Sequence, residues 1–547
     1  MTRTPLVVLV AALAGLATGT AHAGTTFTVT DPSDSGPGTL RQAILDANAS
    51  PGKDTIAFDV PGAASIFLQH LLPAVTDPVV IDGTTEPGYA FGRLRVVLFT
   101  ANTVGPSLAY GLDIQAGKSE VSGLSIGGFQ TGIVLEGAPG DTVTASAIGP
   151  NPDETSAQPN GTGISITNSD DEIGGTGKGD GNVISGNTGD GVQIQNASAS
   201  GSATATGNAI QGNLIGTTGD GTAALGNGRD GVELDGVSKN LVGGPLLLDA
   251  GNVISGQNTT LFGAGVDVEG GGNNQISSNL IGTSADGMSA IPNASGILIR
   301  RSSGNLVGRA TGPHWIRGGG NVISGNLFQG INDLVDSGDQ ITGNVIGRTG
   351  DNTAPLGNQY GLYIADDATA TIGTERDPNV IADNALDGIA VTNTSYGVQI
   401  SANSIFDNGL GTVTSGPEPI GIDLNDDGVT TNDPGDSDTG PNGLQNFPVV
   451  TSVSHQGGQL VIGGTLNSRP FGTYRLEFFA NEACDPSGYG QGETYLGATT
   501  VIADPSGNVT FSAKFPLNPS AATPIVTATA TDQSGNTSEF SACSSGG

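Results

Sequence analysis

Three near-identical heptapeptides, GNVISGN at 181–187, GNVISGQ at 251–257 and GNVISGN at 320–326, restrict the possible folds of this chain more than any other feature. Self-similarity at long spacing marks a repeat architecture, in which one unit cannot bury its own apolar face and must stack on the next. The most regular marker in the repeat is Gly, apolar, any residue, apolar. It recurs as GLDI at 111, GIVL at 132, GISI at 163, GVQI at 191, GVEL at 231, GVDV at 265, GILI at 296, GLYI at 361, GIAV at 388 and GIDL at 421, while GIND at 330 keeps only its start. The mean period is about 31 residues, within the range of solenoid units. Between markers, N-x-V-G followed by GNVISG alternates with N-x-I-x-x-N-x-I, as at Asn208, Ile210, Asn213 and Ile215.

Each marker alternates apolar and polar positions, the signature of a half-buried strand. Short strands punctuated by Gly and Asn predict an all-β chain, a right-handed parallel β-helix of about 11 or more coils. Recurrent Asn suits left-handed turns at the corners and amide hydrogen bonds from coil to coil. A solenoid needs covered ends, and GTLRQAILDANAS at 38–50 offers an amphipathic helix with Leu40, Ala43, Ile44 and Ala47 on one face as the N-terminal cap.

Residues 1–23 read as a signal peptide: Arg3, an apolar run too short for a membrane span, then Ala21-His22-Ala23. The cap and first coils then occupy 24–104, the repeats 105–414 and an acidic junction 415–446. From 447 to 547 the repeat gives way to alternating runs such as QLVIGGTL, TYRLEFFA and NVTFSAKF, expected to form an immunoglobulin-like β-sandwich. Both cysteines, Cys484 and Cys543, fall in this tail, and in an exported chain they are expected to pair. A formal charge of −34 disfavours nucleic acid and anionic lipid as partners.

Near the N-terminus stand GTLRQA and DTIAF at 54–58, and toward the C-terminus IDLNDDG, NDPGDSDTGPNGLQNFP, EFFANEACDPSGYG and ATDQSGNTSEFSAC. In these stretches the chain resembles secreted bacterial β-helix repeat proteins of the pectin-lyase-like fold, whose N-terminal segment is of the type Cys-Ser-Leu-Arg-Glu-Ala. The resemblance implies an architecture, with an immunoglobulin-like C-terminal domain, and carries over no catalytic residue.

Candidate chemistry lies in the outward-facing row of the markers. Glu233 and Asp267 are expected about 4.8 Å apart across the ladder, with Asp235, Glu269 and Arg300 two positions further along their strands. Acids holding Ca²⁺ against a uronate beside an Arg base describe a polysaccharide lyase, and two carboxylates at this spacing a glycosidase. A solvated acidic face is the plain alternative. The loop GRATGPHWIRGGG at 308–320 groups Trp315 with His314, Arg309 and Arg317, a set suited to stacking on a sugar and pairing with its carboxylate, and Tyr363 lies in the outward row. In the junction, Asp423, Asn425 and Asp427 precede Gly428, followed by Asp433 and Asp436, an oxygen-rich pattern that suggests a structural Ca²⁺.

No nucleophile elbow, phosphate loop or zinc-ligand spacing is present in the sequence. The chain therefore reads as a secreted or cell-surface protein that binds extracellular or cell-surface polysaccharide without turnover and does not insert in a membrane. The alternatives are a polysaccharide lyase or glycoside hydrolase on the outward face, and a purely structural stalk.

Overall fold

The computed structural model of the chain describes residues 24–62, 64–90, 92–100, 108–197, 205–244, 250–309, 319–335, 337–409, 411, 417–516 and 524–545. The expected signal segment 1–23, and His314, Trp315 and Arg317 of the 308–320 loop, lie outside the described residues. From Val79 onward each coil contributes one short strand to each of three all-parallel sheets, of 13, 12 and 11 strands in all, so the fold is a parallel β-helix. One coil, for example, runs Val232–Asp235 in the 11-stranded sheet, Leu241–Gly243 in the 13-stranded sheet and Val253–Ile254 in the 12-stranded sheet.

The heptapeptides are rungs of the 12-stranded sheet. Ile126, Ile148, Ile184, Ile215, Ile254, Ile281, Ile323, Ile346, Ile381 and Ile405 pair in register through ten successive coils. All are buried, because a β-branched side chain stacked on its own copy fills the pleated interior without voids. The Asn residues flanking these two-residue strands form two columns of amides. In one, the Asn182 N–H and Nδ2 donate to Asn213 Oδ1 at 3.0 and 2.9 Å, and Asn213, Asn252, Asn279, Asn321, Asn344, Asn379 and Asn403 repeat the link. A third column begins at Ser119 and Asp141, passes through Asp171, Asn208, Asn240, Asn274 and Asn305, and reaches Asp339. These side chains satisfy corner N–H groups that parallel pairing leaves open.

One expectation changes here. The left-handed turn falls not on the ladder Asn but on the residue before it, as at Gly212 (φ 68°), Lys239 (φ 62°) and Ser278 (φ 63°). Turning inward to bond the next coil and adopting positive φ are divided between neighbouring residues at these corners, whereas the Gly before Asn182, Asn252 and Asn321 is required because a Cβ there would strike the backbone of the next coil. The degenerate marker GIND at 330 still forms a full strand, Gln329–Leu334, with Asp333 inward between Ile299 and Ile364.

The helix Leu40–Ala49 covers the N-terminal end. Thr39 caps it, accepting from the Gln42 N–H, and Leu40, Ala43, Ile44 and Ala47 are buried in the solenoid core. At the other end two antiparallel sheets, of three and four strands, pack over a core that includes Leu460, Ile462, Leu476, Phe478, Phe511 and Val526, a small β-sandwich. Cys484 and Cys543 are joined in a disulfide.

The sandwich acts as the next coil. The Asn408 N–H and Nδ2 both donate to Gln491 Oε1 at 3.0 Å, so Gln491 extends an amide column running from Asn160 through Asn227 and Asn293. Phe479 and Phe540 join the solenoid core itself, their rings 5.3 Å apart edge to face. Glu477, buried, accepts from Ser401 Oγ at 2.6 Å and from the Ala402 N–H at 2.8 Å.

Candidate functional site

The outward face of the 11-stranded sheet carries the expected patch. Glu233 pairs in register with Asp267, Asp235 with Glu269, and Glu269 with Arg300. Arg300 Nη2 donates to Asp267 Oδ2 at 2.6 Å, and its Nε lies 3.1 Å from Glu269 Oε2, a charge contact without hydrogen-bond alignment. Arg301 Nε donates to Glu269 Oε1 at 2.7 Å. Gln193, one coil earlier, donates to Glu233 Oε2 at 2.6 Å. The Arg300 guanidinium is thus clamped between two carboxylates.

Burial sets the protonation of this patch. It pushes Asp267 up to about 6, with Arg300 pulling the other way, and pushes Glu233 upward despite the Gln193 hydrogen bond. Asp267 is 4 % exposed, and its Oδ1 is buried without a hydrogen-bond partner. Asp230, which the outward row does not contain, belongs to the same group. It accepts from the Ala264 N–H at 2.7 Å, and burial with the nearby Asp267 carboxylate pushes it up to about 7. Its signal was the dipeptide Asp-Gly opening a marker, which recurs at Asp190 and Asp387.

A pH dependence follows from acids such as Asp230, Asp171 and Asp141, which burial pushes up to about 7, 7 and 6. Their folded values exceed the unfolded value of about 3.9, so the folded state binds more protons than the unfolded chain between these limits. The stabilisation is complete below the unfolded value and is lost as pH rises through 6 to 7. The melting temperature is expected to be several degrees higher at pH 5 than at pH 8 in scanning calorimetry; a profile rising toward pH 8 contradicts this assignment.

Other predicted residues are dispersed. Tyr363 lies on the same face three rungs from Asp267, separated by Leu298 and Asn332, and meets Tyr360 edge to face. Arg309 Nη1 lies 3.7 Å from Asp377 Oδ1. At the junction, Asp423 accepts from the Asp427 and Gly428 N–H groups, while Asn425 Nδ2 donates to Asp427 Oδ2 at the exposed surface. The carboxylates that converge are instead Asp387, Asp423 and Asp426, with oxygens within 4.8 Å of one another, and separately Asp433, Asp436 and Asp438. Burial and the neighbouring Asp423 carboxylate push Asp387 well up. Asp436 accepts from the Asn446 N–H and from Ser468 Oγ.

Among the described residues no helix is long and apolar enough to cross a membrane. No curated protein matches the chain. Three solved structures similar to it are the enzymatically active domain of bacteriophage CBA120 tailspike protein 2, an alginate lyase from Paenibacillus sp. str. FPU-7, and the periplasmic alginate epimerase AlgG. The tailspike domain is 12% identical, with 91% of this chain and 73% of that one covered and a TM-score of 0.31. For the lyase the values are 16%, 64%, 94% and 0.32. For the epimerase they are 12%, 74%, 85% and 0.36. A family described as periplasmic copper-binding protein (NosD) matches residues 250–426. That stretch contains no Cys, one His (His314) and one Met (Met288), so the imidazole and sulfur donors that favour copper are nearly lacking and its ligand chemistry is carboxylate and amide oxygen. Over those 250–426 residues the chain is similar to the NosD family, a likeness within the coils of its parallel β-helix.

Proposed function

We propose that this protein is exported and binds extracellular or cell-surface polysaccharide, without turnover, on the outward face of the 11-stranded sheet. The observation that carries the reading is the clamped Arg300: held between Asp267 and Glu269, it offers no free base for β-elimination, while the row around it presents amides, carboxylates and a phenol. Rungs about 4.8 Å apart repeat at nearly the advance of one sugar in an extended polymer, so successive side chains can meet successive hydroxyls. Ca²⁺ enters this reading as a structural ion at the junction carboxylates, to be read as a calcium-dependent melting temperature.

A second reading is favoured by one observation. The buried Asp267, pushed up to about 6 and paired in register with Glu233, has the proton affinity of a general acid beside a second carboxylate, as in a glycoside hydrolase. Affinity electrophoresis of the mature chain through a panel of polysaccharides, with reducing ends assayed in parallel, separates the two. Retardation without new reducing ends is expected. Turnover abolished in Asp267→Asn would establish the hydrolase instead, and passage through every gel at the control rate would remove the glycan reading.

A further inference from the structure

Four aromatic rings border the proposed polysaccharide face. Phe262, 72 % exposed, stacks on Phe328 with centroids 6.0 Å and planes 28° apart. Tyr360 and Tyr363 meet at 5.5 Å and 72°. Phe262 comes shortly before the strand Val266–Glu269, and Phe328 immediately before Gln329–Leu334. Tyr360 begins the next strand, pairs in register with Gln329, and donates its N–H to Phe328 O. The rings therefore follow one edge of the sheet, from the coil of Asp267 to the coil of Tyr363. The edge is continuous with the acidic patch, because Gly263 packs against the Arg229 carbonyl and the Ala264 N–H donates to Asp230.

Phe262 closes the short 3-10 turn Thr259–Leu261 in the left-handed conformation, φ 61°. A bulky residue is strained there, where Gly or Asn is favoured, and this one also leaves most of its ring in water. The fold gains little from the side chain, which suits a ring held out for a ligand. The charge around it selects the class of ligand. Asp190, Asp230, Glu233, Asp235, Asp267 and Glu269 outnumber the three arginines beside them, Arg229, Arg300 and Arg301, in a chain of net charge −34. A uronate or sulfated polymer meets repulsion on such a surface, whereas an uncharged pyranose polymer offers C–H faces to the rings and hydroxyl donors to the carboxylates.

We infer that Phe262 and Phe328 form a stacking subsite for a neutral pyranose polysaccharide whose chain runs along this edge of the sheet. This rests on the glycan-binding reading and narrows it. The test is affinity electrophoresis of the full mature chain through hydroxyethylcellulose, galactomannan and laminarin, and through alginate and polygalacturonate. Wild type, Phe262→Asn, Phe262→Tyr and Phe328→Ala are compared, with melting temperatures recorded.

Neutral gels are expected to retard the wild type. Phe262→Asn should weaken that binding about ten-fold, with an unchanged or higher melting temperature, while Phe262→Tyr keeps it. Retardation only by the anionic gels, or neutral-gel retardation untouched in Phe262→Asn, would overturn the stacking subsite and leave glycan binding standing. No retardation in any gel would remove both.

Discussion

A chain ending at residue 446 is expected to collect as aggregate rather than as a soluble shortened solenoid. The sandwich supplies acceptors for backbone N–H groups of the last coils. Gln491 serves Asn408, Glu477 serves Ala402, Thr537 Oγ1 serves Ile400, Asn536 serves Gly397, and Glu539 serves Leu424 and Thr430. Each such group left buried without a partner costs about 1–3 kcal/mol, and exposing it instead opens the parallel edges to pairing with another chain. Phe479 and Phe540 would also leave the core they seal. A graded version is Glu477→Ala, which strands the Ala402 N–H and removes one of two carboxylates from Arg475, for a loss of about 3 kcal/mol. Size-exclusion chromatography of the truncated chain and calorimetry of the variant check this. A monodisperse truncated chain with the wild-type melting temperature would show the sandwich to be a dispensable attachment.

The second large effect is expected at a single ladder amide. Asn252 Nδ2 donates to Ile210 O at 2.8 Å and to Asn279 Oδ1 at 2.9 Å, and its Oδ1 accepts from the Asn213 N–H and Nδ2 at 3.0 Å each. Asn252→Ala leaves the Asn213 N–H and the Ile210 carbonyl without these partners in a buried corner, a cost of about 4 kcal/mol. Asn252→Asp keeps the acceptor and loses the donor, and its carboxylate would lie against Asn279 Oδ1. That variant should therefore recover stability as pH falls and its carboxyl protonates, whereas Asn252→Ala should not. Denaturant unfolding at pH 5 and pH 8 distinguishes the two. Equal losses for both variants at both pH values would mean that the column contributes shape rather than hydrogen bonds.

The repeat was legible in the sequence because each coil reuses one solution. Ile184, Ile254 and Ile323 stack on the same column, and the flanking Asn residues on the next, so a 31-residue period and strict alternation lead directly to sheets in register. The same regularity places Glu233 beside Asp267 and Glu269 beside Arg300, and the helix face of Leu40, Ala43, Ile44 and Ala47 follows from 3.6-residue periodicity. Asp230 was missed because it sits one residue outside the alternating row, at a corner where period two no longer applies.

Sequence alone therefore determined the solenoid, its outward row and its helical cap, all consequences of periodic backbone geometry. The tertiary structure decided that Arg300 is clamped rather than free, that Asp387 and Asp426 bring their carboxylates to Asp423, that Gln491 acts as one more ladder amide, and that Phe262 and Phe328 stack. The reason is physical. Register follows from a repeating backbone, but rotamers, ion pairs and ring contacts depend on side chains from coils about 30 or more residues apart, and on a tail domain that has no repeat at all.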